Sequence, residues 1–485
     1  MTRPPSSLVW FRADLRLEDN PALEAAVRRG GPVIPVFVWA PEEEEPWAPG
    51  GSSRWWLHHS LAALDRSLRE RKSRLVLRKG PSERALRELV RETGAEAVFW
   101  NRRCEPAVAA RDRKVEEGLR KQGIEASSSN GSLLAEPWEI ETKTGGPYQV
   151  FTPFGKALLD RPEPVGITRA PEKIAPPRTW PKSPGLGDLG LLPGVDRAAG
   201  MGEAWTPGEE GAVEALHLFL KEGAAEYETG RDRPDRVGTS RLSPHLHFGE
   251  IGPRQVWVHA RRAAARERTN RLDPAPWLRQ IAWREFAHHL LHHFPSTPEK
   301  PLRPAFAKFP WRRGKAALGA WERGETGFPI VDAGMRELRT TGWMHNRVRM
   351  IVASFLTKDL LIPWREGARW FWENLVDADL ANNTFGWQWT AGCGADAAPY
   401  FRIFNPVSQG ERFDPEGVYV RRRVPEIGAL PDKYVHRPWE APPALLRDAG
   451  VALGRTYPKP MVDHGEARKA ALAAYDKIKS EGNKR

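Results

Sequence analysis

The sequence predicts an α/β N-terminal domain on a Rossmann-like parallel sheet, then a large all-α C-terminal domain, joined by a long surface linker. Three observations carry this. Short apolar runs alternate with amphipathic stretches over residues 1–130. A Pro- and Gly-rich interval with few apolar runs follows, and beyond it apolar residues recur at helical spacing. A chain of 485 residues also exceeds what one hydrophobic core accommodates. The expected divisions are 1–130, 131–206 and 207–485.

Ser7–Phe11, Val33–Trp39, Arg74–Arg78 and Ala97–Trp100 are short apolar runs of the kind found in strands buried on both faces. Pro21–Arg29, Ser53–Lys72, Ser82–Thr93 and Ala107–Gln122 carry the helical period between them. That alternation predicts parallel strands with right-handed crossovers. No G-x-G-x-x-G follows the first strand, so a nicotinamide-dinucleotide site is not supported. Glu42–Glu45 reads as a solvated acidic loop. The stretch Asp160–Pro207 has the composition of a connector. Helical stripes then follow at Glu209–Glu222, Pro253–Arg266, Ala275–His293, Gly314–Arg323 and Val331–Thr340. After Glu440 the chain is Ala- and Lys-rich, as in a polar helix or a frayed end.

Composition narrows the function. Lys and Arg number 74 against 62 Asp and Glu, a net charge of +12, which favours polyanionic partners. Two cysteines, Cys104 and Cys393, cannot build a disulfide framework or a thiolate zinc site. No run of eighteen apolar residues, signal peptide or lipidation motif is visible, so a cytoplasmic protein without membrane attachment is expected. The chain holds 21 Trp, a count that points to base stacking or electron transfer.

The densest stretch runs from Gly342 to Asn405. Val348, Ile351, Val352, Phe355 and Leu356 form an apolar helical stripe, while Asn346, Arg349 and Met350 lie on another. Asp377, Asp379, Asn382, Asn383, Trp387 and Trp389 follow, a mixture suited to the lining of a polar, aromatic cavity. A second set, Trp277, Gln280, Trp283 and Arg284, shares one stripe of a helix. Two Trp alone would be core filler, whereas Gln280 and Arg284 beside them argue for a cavity wall. A third, Tyr227 with Thr239, Ser240, Arg241, Leu242 and Ser243, gathers hydroxyls and an Arg that suit an anion, although such a run is more often a plain helix cap. His288, His289, His292 and His293 offer i,i+4 pairs, but with no H-E-x-x-H and no third ligand no metal site is expected.

Across these residues the chain resembles the photolyase/cryptochrome family, from LVWFRADLRLEDNPAL (Leu8–Leu23) to Arg423, and is most similar to bacterial cyclobutane-dimer photolyases. The resemblance implies FAD as cofactor, UV-damaged DNA as partner, and a protein acting as a monomer. It places Tyr227, Thr239, Ser240, Arg241, Leu242 and Ser243 at the FAD diphosphate, with Trp277, Arg284, Asn346, Arg349 and Asp377 bordering the cofactor. Asp379 falls at the flavin ring edge and Asn383 opposite flavin N5. Trp283 and Trp389 would stack on a flipped-out pyrimidine dimer, with Gln280, Asn346, Arg347 and Met350 as further lesion contacts. Arg231 and Arg402 are candidates for backbone phosphates. Trp387, Trp364 and Trp311 match a chain that relays electrons to the flavin. Glu105 matches an acid that holds a folate antenna, and methenyltetrahydrofolate or a deazaflavin is the expected second chromophore.

One position departs from the pattern. Dimer-repairing members usually carry Glu where this chain has Gln280, which keeps an acceptor and gains donors but loses the charge. The expected activity is light-driven repair of cyclobutane pyrimidine dimers. A cryptochrome-type blue-light receptor without repair ranks second. (6-4) photoproduct repair ranks third, because His345-Asn346 stands where those enzymes have a His pair.

Overall fold

The computed structural model describes residues 5–164, 166–192, 198–266, 272–397 and 401–482. Five strands, β1 (Ser7–Phe11), β2 (Val33–Trp39), β3 (Val76–Lys79), β4 (Ala97–Asn101) and β5 (Glu125–Ser129), form one sheet in the order β3-β2-β1-β4-β5. All pairings are parallel, with Ser7 opposite both Val33 and Ala97. The helices α1 (Pro21–Arg29), α2 (Gly51–Glu70), α3 (Ser82–Thr93) and α4 (Pro106–Arg120) make the crossings. Side chains alternate along β1. Val9 and Phe11 pack with Leu23 of α1 and Trp56 and Leu61 of α2, whereas Leu8 and Trp10 pack with Leu86 of α3 and Leu119 of α4. The strand order therefore reverses between β1 and β4, the position where open α/β sheets form a crevice.

The two edge strands differ from the sequence reading, and Glu42–Glu45, expected as a solvated loop, forms a 3-10 turn over Pro41–Glu44 whose Glu44 pairs with Arg103. The third strand starts at Val76, because the Leu75 amide donates to the Asp65 carboxylate of α2 (2.8 Å) before pairing begins. The edge strand β5, EASSS, carries no apolar pattern. It is held by main-chain pairing to β4 and by the Arg102 guanidinium on the Ser128 carbonyl (2.6 Å).

Within 131–206 lies a further helix, α5 (Phe151–Leu159), which packs on the Ala275–His293 helix through Phe151, Phe154 and Leu158. The helical part then builds its largest core around Trp321, Val331, Met335, Val348, Val352, Phe355 and Leu356, all fully buried. The predicted stripe of the Asn346–Ser354 helix faces this core and continues into a π-helical turn, Phe355–Asp359. The chain ends in the His464–Gly482 helix, anchored by Ala471, Ala474 and Ile478.

The two parts are joined by specific polar contacts. The Glu209 carboxylate accepts from the Leu17 and Glu18 amides (2.9 and 2.8 Å), and the Trp372 indole donates to the Ala48 carbonyl (2.7 Å). At Gly50 a Cβ would lie 2.4 Å from the Trp372 carbonyl oxygen, so only glycine permits this approach. No helix among the described residues is long and apolar enough to cross a membrane.

Candidate functional site

A cavity of about 690 Å³ opens among the C-terminal helices. Its walls come from Ala275–His293, Asn346–Ser354, Trp364–Asn374 and Leu380–Ala391, with the segment around Tyr227–His247 closing one end. Both predicted stripes reach it: Trp277, Gln280, Trp283 and Arg284 from one helix, Asn346, Arg349 and Met350 from another. Asp377, Asp379, Asn383, Trp387, Trp389 and Arg402 line it from the opposite side.

At the Tyr227 end, Thr239, Ser240, Leu242 and Ser243 border the cavity with Arg231. Burial raises the Tyr227 phenol to about 12, and its ring packs on Phe219 beside Trp277. Arg241 does not line the cavity. Its guanidinium lies between Trp205 and Trp343, at 4.1 and 5.0 Å from the ring centroids, on a residue with φ +52°. This stacking turns it away from the hydroxyl run and braces the loop from behind.

The acids each have a distinct partner. Arg349 grips Asp377 with one nitrogen at 3.0 and 2.8 Å from its two oxygens, and Nε donates to the Met344 carbonyl (2.7 Å). Arg284 does not share Asp377: it donates to the Ser132 carbonyl (2.9 Å) and pairs with buried Glu285 (3.2 Å). Asp379 caps the Leu380–Ala391 helix, accepting from the Asn382 amide (2.8 Å) and side chain (2.7 Å). Its other oxygen lies 3.5 Å from His288 and 3.8 Å from His247. Burial opposes its ionisation, yet the two imidazoles hold it well below the carboxylate range. Asn383 donates its NH₂ to the Ala368 carbonyl (3.0 Å), which leaves its carbonyl oxygen as the free acceptor.

The aromatic walls are backed. Trp283 stacks face to face on Phe151 of α5 (3.5 Å, 8°), and Arg402 lies over Trp389 (5.5 Å). Gln280 accepts from Arg231 at 3.4 Å. Arg347 is tied to Asp232 (2.8 Å) and lies over Phe413, so it stands beside the cavity and not on its wall. Of the three relay candidates, Trp387 lines the cavity, Trp364 is buried behind it, and Trp311 is partly buried against Phe309 (4.3 Å). Trp387 rests on the backbone of Gly367, three residues after Trp364.

Glu105 does not line this cavity, although its charge is felt by Asp379, which does. Arg103 holds Glu105 at 2.7 Å and is itself held by Glu44 (3.0 Å). Burial works against its charge, but Arg103 brings the carboxyl down to about 2. The histidines have local roles: His289 accepts from the Tyr148 amide (3.1 Å) and donates to the Pro137 carbonyl (3.1 Å), while His293 meets the same carbonyl (3.2 Å). Sequence reasoning missed Phe151, His247, Phe371 and Phe385. Phe151 lies in the stretch read as linker, and the others look like ordinary core positions.

The donor set fits FAD. Hydroxyls at one end suit a diphosphate, a fixed amide acceptor and a capped acid suit a heteroaromatic ring edge, and the volume is that of a cofactor pocket. Comparison with known proteins agrees. Residues 7–177 match the family described as DNA photolyase, and residues 277–477 match the FAD binding domain of DNA photolyase. A deoxyribodipyrimidine photo-lyase of Agrobacterium fabrum is 52% identical over 473 residues, covering 97% of this chain and 98% of the relative. Cryptochrome-1 of Arabidopsis thaliana is 41% identical over 483 residues, covering 95% of this chain and 69% of that protein. A bacterial class III photolyase structure from Agrobacterium tumefaciens matches with TM-score 0.94 at 51% identity, covering 99% and 98% of the two chains. A Synechocystis cryptochrome structure matches at 0.88 and 29% identity, covering 98% and 100%. The chain therefore belongs to the photolyase/cryptochrome family and carries that family's FAD binding domain.

Proposed function

We propose that this chain repairs cyclobutane pyrimidine dimers in DNA under light, as a deoxyribodipyrimidine photo-lyase does. The observation that carries the reading is one cavity in which a flavin-type donor set and two indoles, Trp283 and Trp389, border a common space. When bound and reduced, FAD supplies light-driven electron donation to the dimer, with the electron returning after the ring splits. The chain's own residues bind, orient and exclude water. Thr239, Ser240 and Ser243 offer hydroxyls to the diphosphate, and Arg349 with Asp377 holds the ring-side wall rigid. Asn383, its amide fixed by the Ala368 carbonyl, would offer its oxygen to flavin N5, and Asp379 would hold the ring edge.

On the lesion side, Trp283, prevented from tilting by Phe151, and Trp389 offer stacking faces to an extruded dimer. Gln280 and Asn346 supply neutral hydrogen-bonding groups, and Met350 an apolar contact. Arg231 and Arg402 at the rim, with Arg347 behind, would meet phosphates, making affinity fall with salt. Trp387 at the cavity wall, buried Trp364 and partly buried Trp311 would reload the cofactor with electrons.

A second reading, a blue-light receptor without repair, is favoured by Gln280 and by the likeness to plant cryptochrome. Illuminating the purified protein with dimer-containing oligothymidine separates the two. Recovery of thymine absorbance supports repair, and none with FAD bound points to the receptor. For an antenna, Glu105 and Arg103 stand beside a small space lined by Trp10, Trp39, Glu44 and Arg103 at the carboxyl ends of the strands. Extraction of the bound chromophore distinguishes methenyltetrahydrofolate from a deazaflavin. The reading includes a monomer acting in the cytoplasm at the nucleoid; sedimentation with and without DNA tests the stoichiometry.

A further inference from the structure

Lys358 is fully buried in the π-helical turn Phe355–Asp359, and no carboxylate lies within ion-pair distance of it among the described residues. Its Nζ donates to the Ala391 carbonyl (2.7 Å), the last residue of the Leu380–Ala391 helix, and sits 3.1 Å from the centre of the Phe401 ring. Both partners attract an amine: a helix C-terminus presents unpaired carbonyls, and an aromatic face is electron-rich. Between them Gly392 adopts φ +89°, and a Cβ there would come within 3.1 Å of the Phe401 ring. Phe401 is clamped on its own account by Tyr475 of the final helix (4.5 Å, 6°). Trp389 stands two residues before Ala391, and Arg402 directly follows Phe401. Burial pulls the Lys358 amine well below the lysine range, yet the amine donates in either protonation state. A buried amine without an acid stabilises a fold poorly, so its place needs another reason.

We propose that Lys358 is a positioning residue for the lesion wall: by fastening the end of the Trp389 helix to the Phe401 segment, it holds Trp389 and Arg402 facing each other at the cavity mouth. The proposal rests on the repair reading for what the wall binds, but not for the fastening itself. The FAD end is insulated, since Asp379 and Asn383 lie about three and two turns away along the same helix.

The experiment compares Lys358→Met, which keeps length and removes the donor, with Lys358→Gln, which keeps a donor of shorter reach. Lys358→Met is expected to retain FAD and an undiminished Tm. Its Kd for a dimer-containing oligonucleotide should rise on the order of tenfold, about 1.4 kcal/mol of the ~1–3 kcal/mol that one stacked base supplies. Affinity for undamaged DNA, which loses at most the Arg402 phosphate contact, should fall much less, and Lys358→Gln should recover part of the loss. Hydrogen exchange of amides 388–394 should quicken in Lys358→Met without any DNA present. Unchanged exchange and unchanged lesion affinity overturn the proposal, as does a matched loss for damaged and undamaged DNA. If the unsubstituted protein does not bind dimers, the repair reading fails while the exchange result still decides the fastening. Should Lys358→Met not fold, exchange in Lys358→Gln decides, and a wild-type pattern there counts against the proposal.

Discussion

Placing a methyl group at Gly367 is the most direct probe of the wall that carries Trp387. A Cβ built there would lie 2.0, 2.5 and 2.6 Å from three carbons of the Trp387 ring. Ordinary carbon contacts stand at ~3.5–4.0 Å, so the ring must retreat by about 1.5 Å or the helix must shift. Neither is easy. The indole is 2% exposed, with Trp321 and Phe371 against it at 6.2 and 5.0 Å between centroids. Overpacking of this kind costs about 1–3 kcal/mol, and the short distances place Gly367→Ala at about 3. Gly to Ala within a helix returns up to about 1 kcal/mol, leaving a net loss of about 2. Gly202→Ala is the control. Gly202 is an exposed position of a short helix with nothing within 4 Å of the added carbon, and the substitution is expected to be neutral or slightly stabilising. Urea unfolding followed by Trp fluorescence and circular dichroism gives the stabilities, read on the transition of the helical part because the chain has more than one domain. Light-driven reduction of the bound cofactor should slow in Gly367→Ala as Trp387 is displaced. If Gly367→Ala unfolds at the same urea concentration as the unsubstituted protein and photoreduces at the same rate, the reasoning about this wall is wrong.

Gln280→Glu is expected to speed dimer repair per photon and to draw Arg231, now 3.4 Å from the side chain, into an ion pair; a repair quantum yield no higher than that of the unsubstituted protein would contradict this. Trp311→Phe should slow photoreduction by external donors while leaving repair by chemically reduced protein unchanged, and loss of both would show that Trp311 supports the fold and not the relay. Two buried imidazoles predict acid sensitivity above the carboxylate range. His289 and His345 each accept a backbone N–H, from Tyr148 and Arg347, and burial brings each down to about 4 from an ordinary 6.5. A neutral ring favours the fold, so this stability is complete above pH 6.5 and is lost as pH falls from 6.5 through 4. Unfolding free energies measured across that window should drop with acid, and less steeply in His289→Asn.

Much of the architecture was legible because it follows from local chemistry. The ends of β1, α1 and α3 are marked by apolar runs, Asn20 before Pro21 at a helix start, and Gly94 after Thr93 at a helix end. The stripe Val348, Ile351, Val352 announced which face of its helix is core, and therefore that Asn346, Arg349 and Met350 face something else. The same periodicity brought Trp277, Gln280, Trp283 and Arg284 to one wall, since neighbours at three and four residues must share a side of a helix.

What periodicity cannot report is contact across a hundred residues. Arg284 was as plausible a partner for Asp377 as Arg349, and packing decided it by placing Glu285 and the Ser132 carbonyl within its reach. Arg241 sits in a run of hydroxyls that suits an anion, yet Trp205 and Trp343 capture it from two separate segments. Phe151 had no signal of its own, because a stacking partner is defined by the ring it meets, and Trp283 is more than a hundred positions away. The edge strand β5 is polar and escaped notice, being held by main-chain bonds to β4 that no side chain advertises. The sequence by itself thus determined which elements form and which faces they bury, since both depend on neighbours a few residues apart. Only the tertiary structure decided which charges pair, which rings stack and which candidates reach the cavity, because those depend on distances that chain connectivity does not constrain.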